Sequence, residues 1–230
     1  MSRRQIDPLE TGSCSNVQEQ STTMQPLRWP SHPNLVVVPT AGDGSCSLHA
    51  IVQGFHPSYQ AGRNPDGTPV NRGAFVRVFR NELAEMLDKP SGPEGSVSWY
   101  DRLSRGTLEE FARATKGVAG ADTPDLSRVG FARHLQSSAW LGQEIVEYVG
   151  SVLGIGIFIL LEDGSGVTRG VYALGKESEL YYQGRTKAVV IVSHANRHFS
   201  TIGRREDDGA IRTCFDMNDE LISEFLKELS

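Results

Sequence analysis

Asp43-Gly44-Ser45-Cys46 sets a thiol directly after a glycine-containing turn and at the start of an apolar-rich stretch, Ser47 to Gln53, that reads as a helix. That setting suits a nucleophile. The thiolate is the reactive form of cysteine, and the partial positive charge at a helix N-terminus favours it. The turn contributes backbone N–H groups able to face the oxyanion of a tetrahedral intermediate. A general base has to come from elsewhere in the chain, since a distant histidine is the usual partner of a nucleophilic cysteine.

Six histidines are candidates for that base. His32 falls in a polar N-terminal segment and His134 in a helix interior. His49, three positions after Cys46, points along the same helix and reads as packing. His56 and His194 read as loop residues. His198 follows the strongest β-branched run in the chain, Ala188 to Val192, and a tight turn at Ser193 to Asn196. A rigid sheet can hold such a residue against a helix-borne thiol, so His198 is the candidate base. Cys14 and Cys214 read as a tail residue and a core strand residue.

The elements that must position these groups follow from periodicity. Leu35 to Val38 reads as a strand entering a core, and residues 57–71, rich in Pro, Gly and Asn, as a loop. A helix is expected from Arg72 to Asp88, stopped by Pro90. Thr107 to Glu110 matches a capping box, and Thr123-Pro124 an N-cap with proline at the first helical position. Another helix is expected from Trp140 to Leu153, with Gly154 as C-cap. Strands follow over Ile155 to Leu161, Val167 to Ala173, Lys187 to Ser193, His198 to Ile202 and Ile211 to Phe215. A closing helix after Asn218 carries a Leu221 to Leu229 stripe. A helical middle beside a sheet implies an α+β or three-layer α/β domain.

The chain has 230 residues with net charge −5, three cysteines, 38% apolar and 22% charged residues. One core is expected over residues 34–230, and residues 1–33, polar and aperiodic, read as a flexible tail. The lack of a basic block argues against nucleic acid as partner. The longest apolar run, Leu153 to Leu161, falls far short of the roughly 20 residues that span a bilayer. An odd cysteine count without C-x-x-C spacing argues against a disulfide framework, a metal site and a cofactor cage, and for a reducing, cytoplasmic setting, the nucleus not excluded.

The segment Asp43-Gly-Ser-Cys46-Ser-Leu-His-Ala50 resembles the D-G-x-C signature of the OTU (ovarian tumour) family of deubiquitinating thiol proteases. Trp140-Leu-Gly142 resembles the family's W-x-G segment, and His198-Phe199 its His–aromatic pair after a core strand. The three stand in the family's order over Leu35 to Ile202. The resemblance implies a papain-like fold without cofactor or metal, acting as a monomer on ubiquitin, polyubiquitin or a ubiquitin-like modifier. It implies Cys46 as nucleophile, His198 as base and then acid, and Asp43 as the acidic member. Backbone N–H groups of Asp43, Gly44, Ser45 and Cys46 would form the oxyanion hole, with Trp140 lining the site. The family commonly carries Asp or Asn two residues after the histidine, where this chain has Ser200. A serine brings no charge to the imidazolium, so Ser200, Asn196 and Asp43 are all candidates to orient His198. Two other readings stay open: an OTU-like module that binds ubiquitin without turning it over, and a thiol hydrolase or transferase acting on another amide or ester.

Overall fold

The β-branched runs assemble into one mixed sheet of eight strands. The computed structural model describes residues 24–91, 97–104, 125, 127–141, 145–163, 168–172, 181–195 and 198–229. Its strands are β1 (Gln25–Pro26), β2 (Leu35–Val38), β3 (Gly156–Glu162), β4 (Thr168–Tyr172), β5 (Lys187–His194), β6 (His198–Arg205), β7 (Ile211–Arg212) and β8 (Cys214–Asp216). Their order is β1-β2-β6-β5-β3-β4, with β7 beside β6 and β8 beside β5. Only the β3–β5 pairing is parallel. These two central strands are covered on both faces, which is why they read as continuous apolar runs rather than alternating ones.

Seven helices are described: α1 (Cys46–Phe55), α2 (Pro57–Ala61), α3 (Arg72–Met86), α4 (Trp99–Ser104), α5 (Arg128–Gln136), α6 (Val146–Leu153) and α7 (Glu220–Leu229). They lie on both faces of the sheet. Gly54 of α1 backs directly onto Val189, whereas Phe158, in register with Val190, packs against Phe225 of α7. Neighbouring residues of a strand point to opposite faces, so α1 and α7 sandwich the sheet. The result is the expected three-layer α+β arrangement. Helices α3, α5 and α6 extend the α1 side, and the Tyr148 hydroxyl of α6 donates to the Leu83 carbonyl of α3 at 2.5 Å.

Several expectations need correction. Packing begins before residue 34: β1 pairs with β2, and Leu27 and Trp29 are buried. Trp29 meets Phe225 edge-on at 5.2 Å between centroids and donates its indole N–H to Glu224 at 2.7 Å. A polar composition hid two anchors. Within residues 57–71 lies α2, started by Pro57 with the His56 ring accepting the Tyr59 N–H, and ended by Gly62 in the left-handed region. Of the helix expected from Trp140, Val146–Leu153 is described as helical, residues 142–144 lie outside the described residues, and Trp140 and Leu141 are not helical; the carbonyls of Ala139 and Leu141 accept from the side chains of Arg80 and Ser47. The last strand divides at Thr213, whose buried hydroxyl donates to the Gly54 carbonyl at the end of α1. Cys214 is, as expected, a buried strand residue. The motifs at Thr107 and at Thr123-Pro124 lie outside the described residues, and α5 is instead capped by Ser127, which accepts the Gly130 N–H at 3.1 Å.

Replacing Trp29 with Ala is expected to lower unfolding stability by about 3 kcal/mol in urea titration, as for a buried aromatic elsewhere in a core. A change under about 0.5 kcal/mol, the scale of surface substitutions, would return residues 24–33 to the status of a tail.

Candidate functional site

Cys46 opens α1, and the turn before it owes its shape to Gly44. That residue sits at φ +73°, and a Cβ there would stand 2.8 Å from the Ser138 carbonyl oxygen. Only glycine meets both demands without strain. Asp43 Oδ1 accepts the Ser45 N–H at 3.1 Å, an Asx turn that fixes the entry to the helix. Of the four candidate oxyanion donors, the Ser45 N–H is thereby committed to the turn. Cys46 itself is 2% exposed and is a free thiol.

The turn is clamped from below by Arg80 of α3, the largest fully buried side chain of the described residues. Its guanidinium donates to Ser45 Oγ at 2.8 Å and to the carbonyls of Leu135 at 2.6 Å, Ala139 at 2.9 Å and His134 at 3.2 Å. The last turn of α5 carries partial negative charge on its carbonyls, so it suits a buried cation. Burial pushes the Arg80 guanidinium down from its ordinary value, offset in part by the charge of Asp43. Sequence periodicity placed Arg80 on the helix without marking it. A charged residue one position after a core phenylalanine was the signal that could have found it.

Asp43 faces His49 rather than His198. Its Oδ2 lies 2.9 Å from His49 Nε2, and His49 Nδ1 is bonded in turn to the Tyr59 hydroxyl. His49 is therefore a fully buried link between turn and helix, not simple packing. Partial burial acts to raise the Asp43 carboxyl, but the hydrogen bonds from His49 and the Ser45 N–H and the charge of His49 outweigh it, and the carboxyl lies below its usual value. Asp43, one of the three candidates to orient His198, thus engages Ser45 and His49, with no hydrogen bond to His198 among the described residues.

His198 begins β6, at the edge of the same turn. The β2–β6 register pairs Val38 with Thr201, so residues 39–42 run on past the start of β6. Thr40 Oγ1 lies 3.5 Å from His198 Nε2 and donates to the Phe199 carbonyl. A Cβ at Gly42 would stand 3.9 Å from the ring's Cε1 and Nδ1. His198 and Cys46 thus flank one seven-residue connection, though no hydrogen bond links thiol and imidazole among the described residues. Burial, and then the charge of His194, hold the imidazole below its ordinary pKa, which favours the neutral ring at neutral pH.

The other expected partners fall out as follows. Ser200 is buried on the same pleat face of β6 as His198, without a hydrogen bond to it among the described residues. Asn196 lies outside the described residues. Trp140 stacks on Phe199, the residue after the base, at 6.3 Å between centroids, 28° from parallel, and remains 42% exposed. His194, expected in a loop, instead ends β5 and lies directly across from His198. Among the described residues no group of His, Cys, Asp and Glu is arranged to hold a metal ion.

Arg80→Lys keeps the charge but replaces a planar fork with a single point donor. It is expected to cost about 2 kcal/mol in chemical denaturation, because several buried acceptors lose their donors. Gly44→Ala, forced into the left-handed region against the Ser138 carbonyl, should cost at least about 1 kcal/mol by the same measurement. Wild-type stability for either variant would show that the turn is not held as described.

No protein-family model matches the chain, and no curated protein matches it. Solved structures similar to it include an ovarian tumor (OTU) domain in complex with ubiquitin, 15% identical, covering 92% of each chain with a TM-score of 0.45. The Hazara virus OTU bound to ubiquitin is 18% identical, covering 83% of this chain and 94% of that one, with a TM-score of 0.44. The viral OTU domain protease from Taggert virus is 15% identical, covering 75% and 81%, with a TM-score of 0.41. These three similar structures are OTU domains, at identities of 15–18%.

Proposed function

We propose that the chain is a thiol isopeptidase of the OTU type, hydrolysing the bond after the C-terminus of ubiquitin, a polyubiquitin chain or a ubiquitin-like modifier. The observation that carries this reading is the shared loop: residues 39–45 end at Cys46 on the N-terminus of α1 and pass under the ring of His198. In this mechanism the Cys46 sulfur attacks the isopeptide carbonyl while His198 accepts the thiol proton. The tetrahedral oxyanion is met by backbone N–H groups of the turn and of Cys46. As the C–N bond breaks, His198 returns its proton to the departing lysine amine, leaving a thioester on Cys46. His198 then deprotonates a water that attacks the thioester, and collapse of the second intermediate expels the thiol and frees the carboxylate. A neutral, partly buried imidazole fits the first step. The gap between thiol and imidazole closes when substrate binds, as is common for catalytic hydrogen bonds that are long in unliganded sites.

Cys46→Ala is expected to abolish release of a fluorophore from the ubiquitin C-terminus while leaving the circular dichroism spectrum unchanged. Retained turnover in that variant would overturn the reading. The burial of Cys46 favours a second reading, a module that binds ubiquitin without cleaving it. A ubiquitin bearing a C-terminal electrophile separates the two. A covalent adduct at Cys46 supports the hydrolase, whereas binding without an adduct supports the module.

A further inference from the structure

Behind the imidazole of His198 stands a second one. In the sheet register Glu162 of β3 lies beside His194 of β5, and His194 lies beside His198 of β6, so three titratable side chains form one row across three strands. The rings of His194 and His198 are 19° from parallel with centroids 6.0 Å apart, within stacking range. His194 Nδ1 is bonded to Glu162 Oε2, and both side chains are largely withdrawn from solvent, at 27% and 15% exposed. The backbone reinforces the row. Ala195 adopts φ +49°, uncommon for a residue with a side chain, and donates its N–H to the Glu162 carbonyl at 3.1 Å, closing the turn down onto β3.

His198 therefore lacks an acid two residues on, yet its ring is not free to turn: Thr40 and Gly42 bound it on one side and His194 on another. We propose that His194, anchored by Glu162, is the positioning residue of His198, holding the ring by stacking and favouring its neutral form by standing as a second ionisable imidazole beside it. This rests on His198 being the base. The role left open at Ser200 is thereby filled across the strand rather than along it.

The groups around His198 define the expected pH behaviour. From β5 and β3 come His194 and Glu162, and from the turn come the uncharged Thr40 and Gly42. Asp43 is turned to His49, the Cys46 thiol opens α1, and Arg80 reaches the turn only through Ser45. The depressed pKa of His198, set by burial and then by His194, agrees with this arrangement. Removing the His194 charge makes protonation of His198 easier, so its titration midpoint must rise.

The test combines NMR titration of the His198 ring with steady-state cleavage of a ubiquitin C-terminal fluorophore, on the full chain. His194→Phe keeps a ring but no charge: the His198 midpoint should move to higher pH. His194→Ala removes the ring, and kcat should fall about tenfold or more with KM little changed, the signature of a displaced base. Glu162→Gln, which weakens the anchor without opening a cavity, should lower kcat with KM little changed and serves if the alanine variant fails to fold. An unmoved His198 midpoint in His194→Phe, or wild-type kcat in both His194→Ala and Glu162→Gln, overturns the proposal. A wild-type chain that releases no fluorophore overturns the role as base instead, and the NMR midpoints still decide whether His194 governs His198.

Discussion

A guanidinium buried without a carboxylate beside it constrains this structure more than any other single group. Taking a cation out of water is costly unless its hydrogens are satisfied, and Arg80 meets that demand with three backbone carbonyls and one hydroxyl. Those acceptors come from the end of α5, the chain leading to Trp140, and the residue before Cys46. None can move away without stranding the charge. The planar fork of arginine is what allows one side chain to reach acceptors from all three. The irregular stretch around Ala139 to Leu141 is held by the same region of the protein, the Ala139 carbonyl accepting from Arg80 and the Leu141 carbonyl from Ser47.

A second constraint comes from the sheet. The parallel β3–β5 pair and the β5–β6 hairpin set Glu162, His194 and His198 in one row, and the β2–β6 register carries the residue 39–45 loop past the row's end. The site is thus the meeting of a rigid sheet edge with a turn clamped from beneath. Asp43 serves the turn rather than the base, because its oxygens are engaged by Ser45 and His49. The link from Asp43 through the buried His49 to the buried Tyr59 ties the turn to α2.

Much of the fold was legible along the chain because the signals are local. The apolar runs of β3 and β5, the spacing within α3, and Gly154 as a left-handed C-cap all follow from periods and backbone preferences that act over a few residues. Features that failed to show depend on distant partners. Trp29 looks like part of a polar tail until Phe225 and Glu224 arrive from the other end of the chain. Thr213 breaks the last strand only because the end of α1 lies against it.

The sequence by itself determined the types and order of the chemical groups: a cysteine after a glycine turn at a helix start, and a histidine at the mouth of a β-branched strand. Those follow from local propensity and from the dipole of a single helix, which need no tertiary partner. Which groups stand next to which was decided only by the folded sheet. Asp43 turned to His49 within one helical segment, whereas Arg80 met the nucleophile's turn and Glu162 met His194 across more than thirty residues, because helix packing and strand register bring those groups together. Register moves whole side chains from one face to another, and the pairing of β3 with β5 that sets Glu162 behind His194 is not specified by the residues around His198.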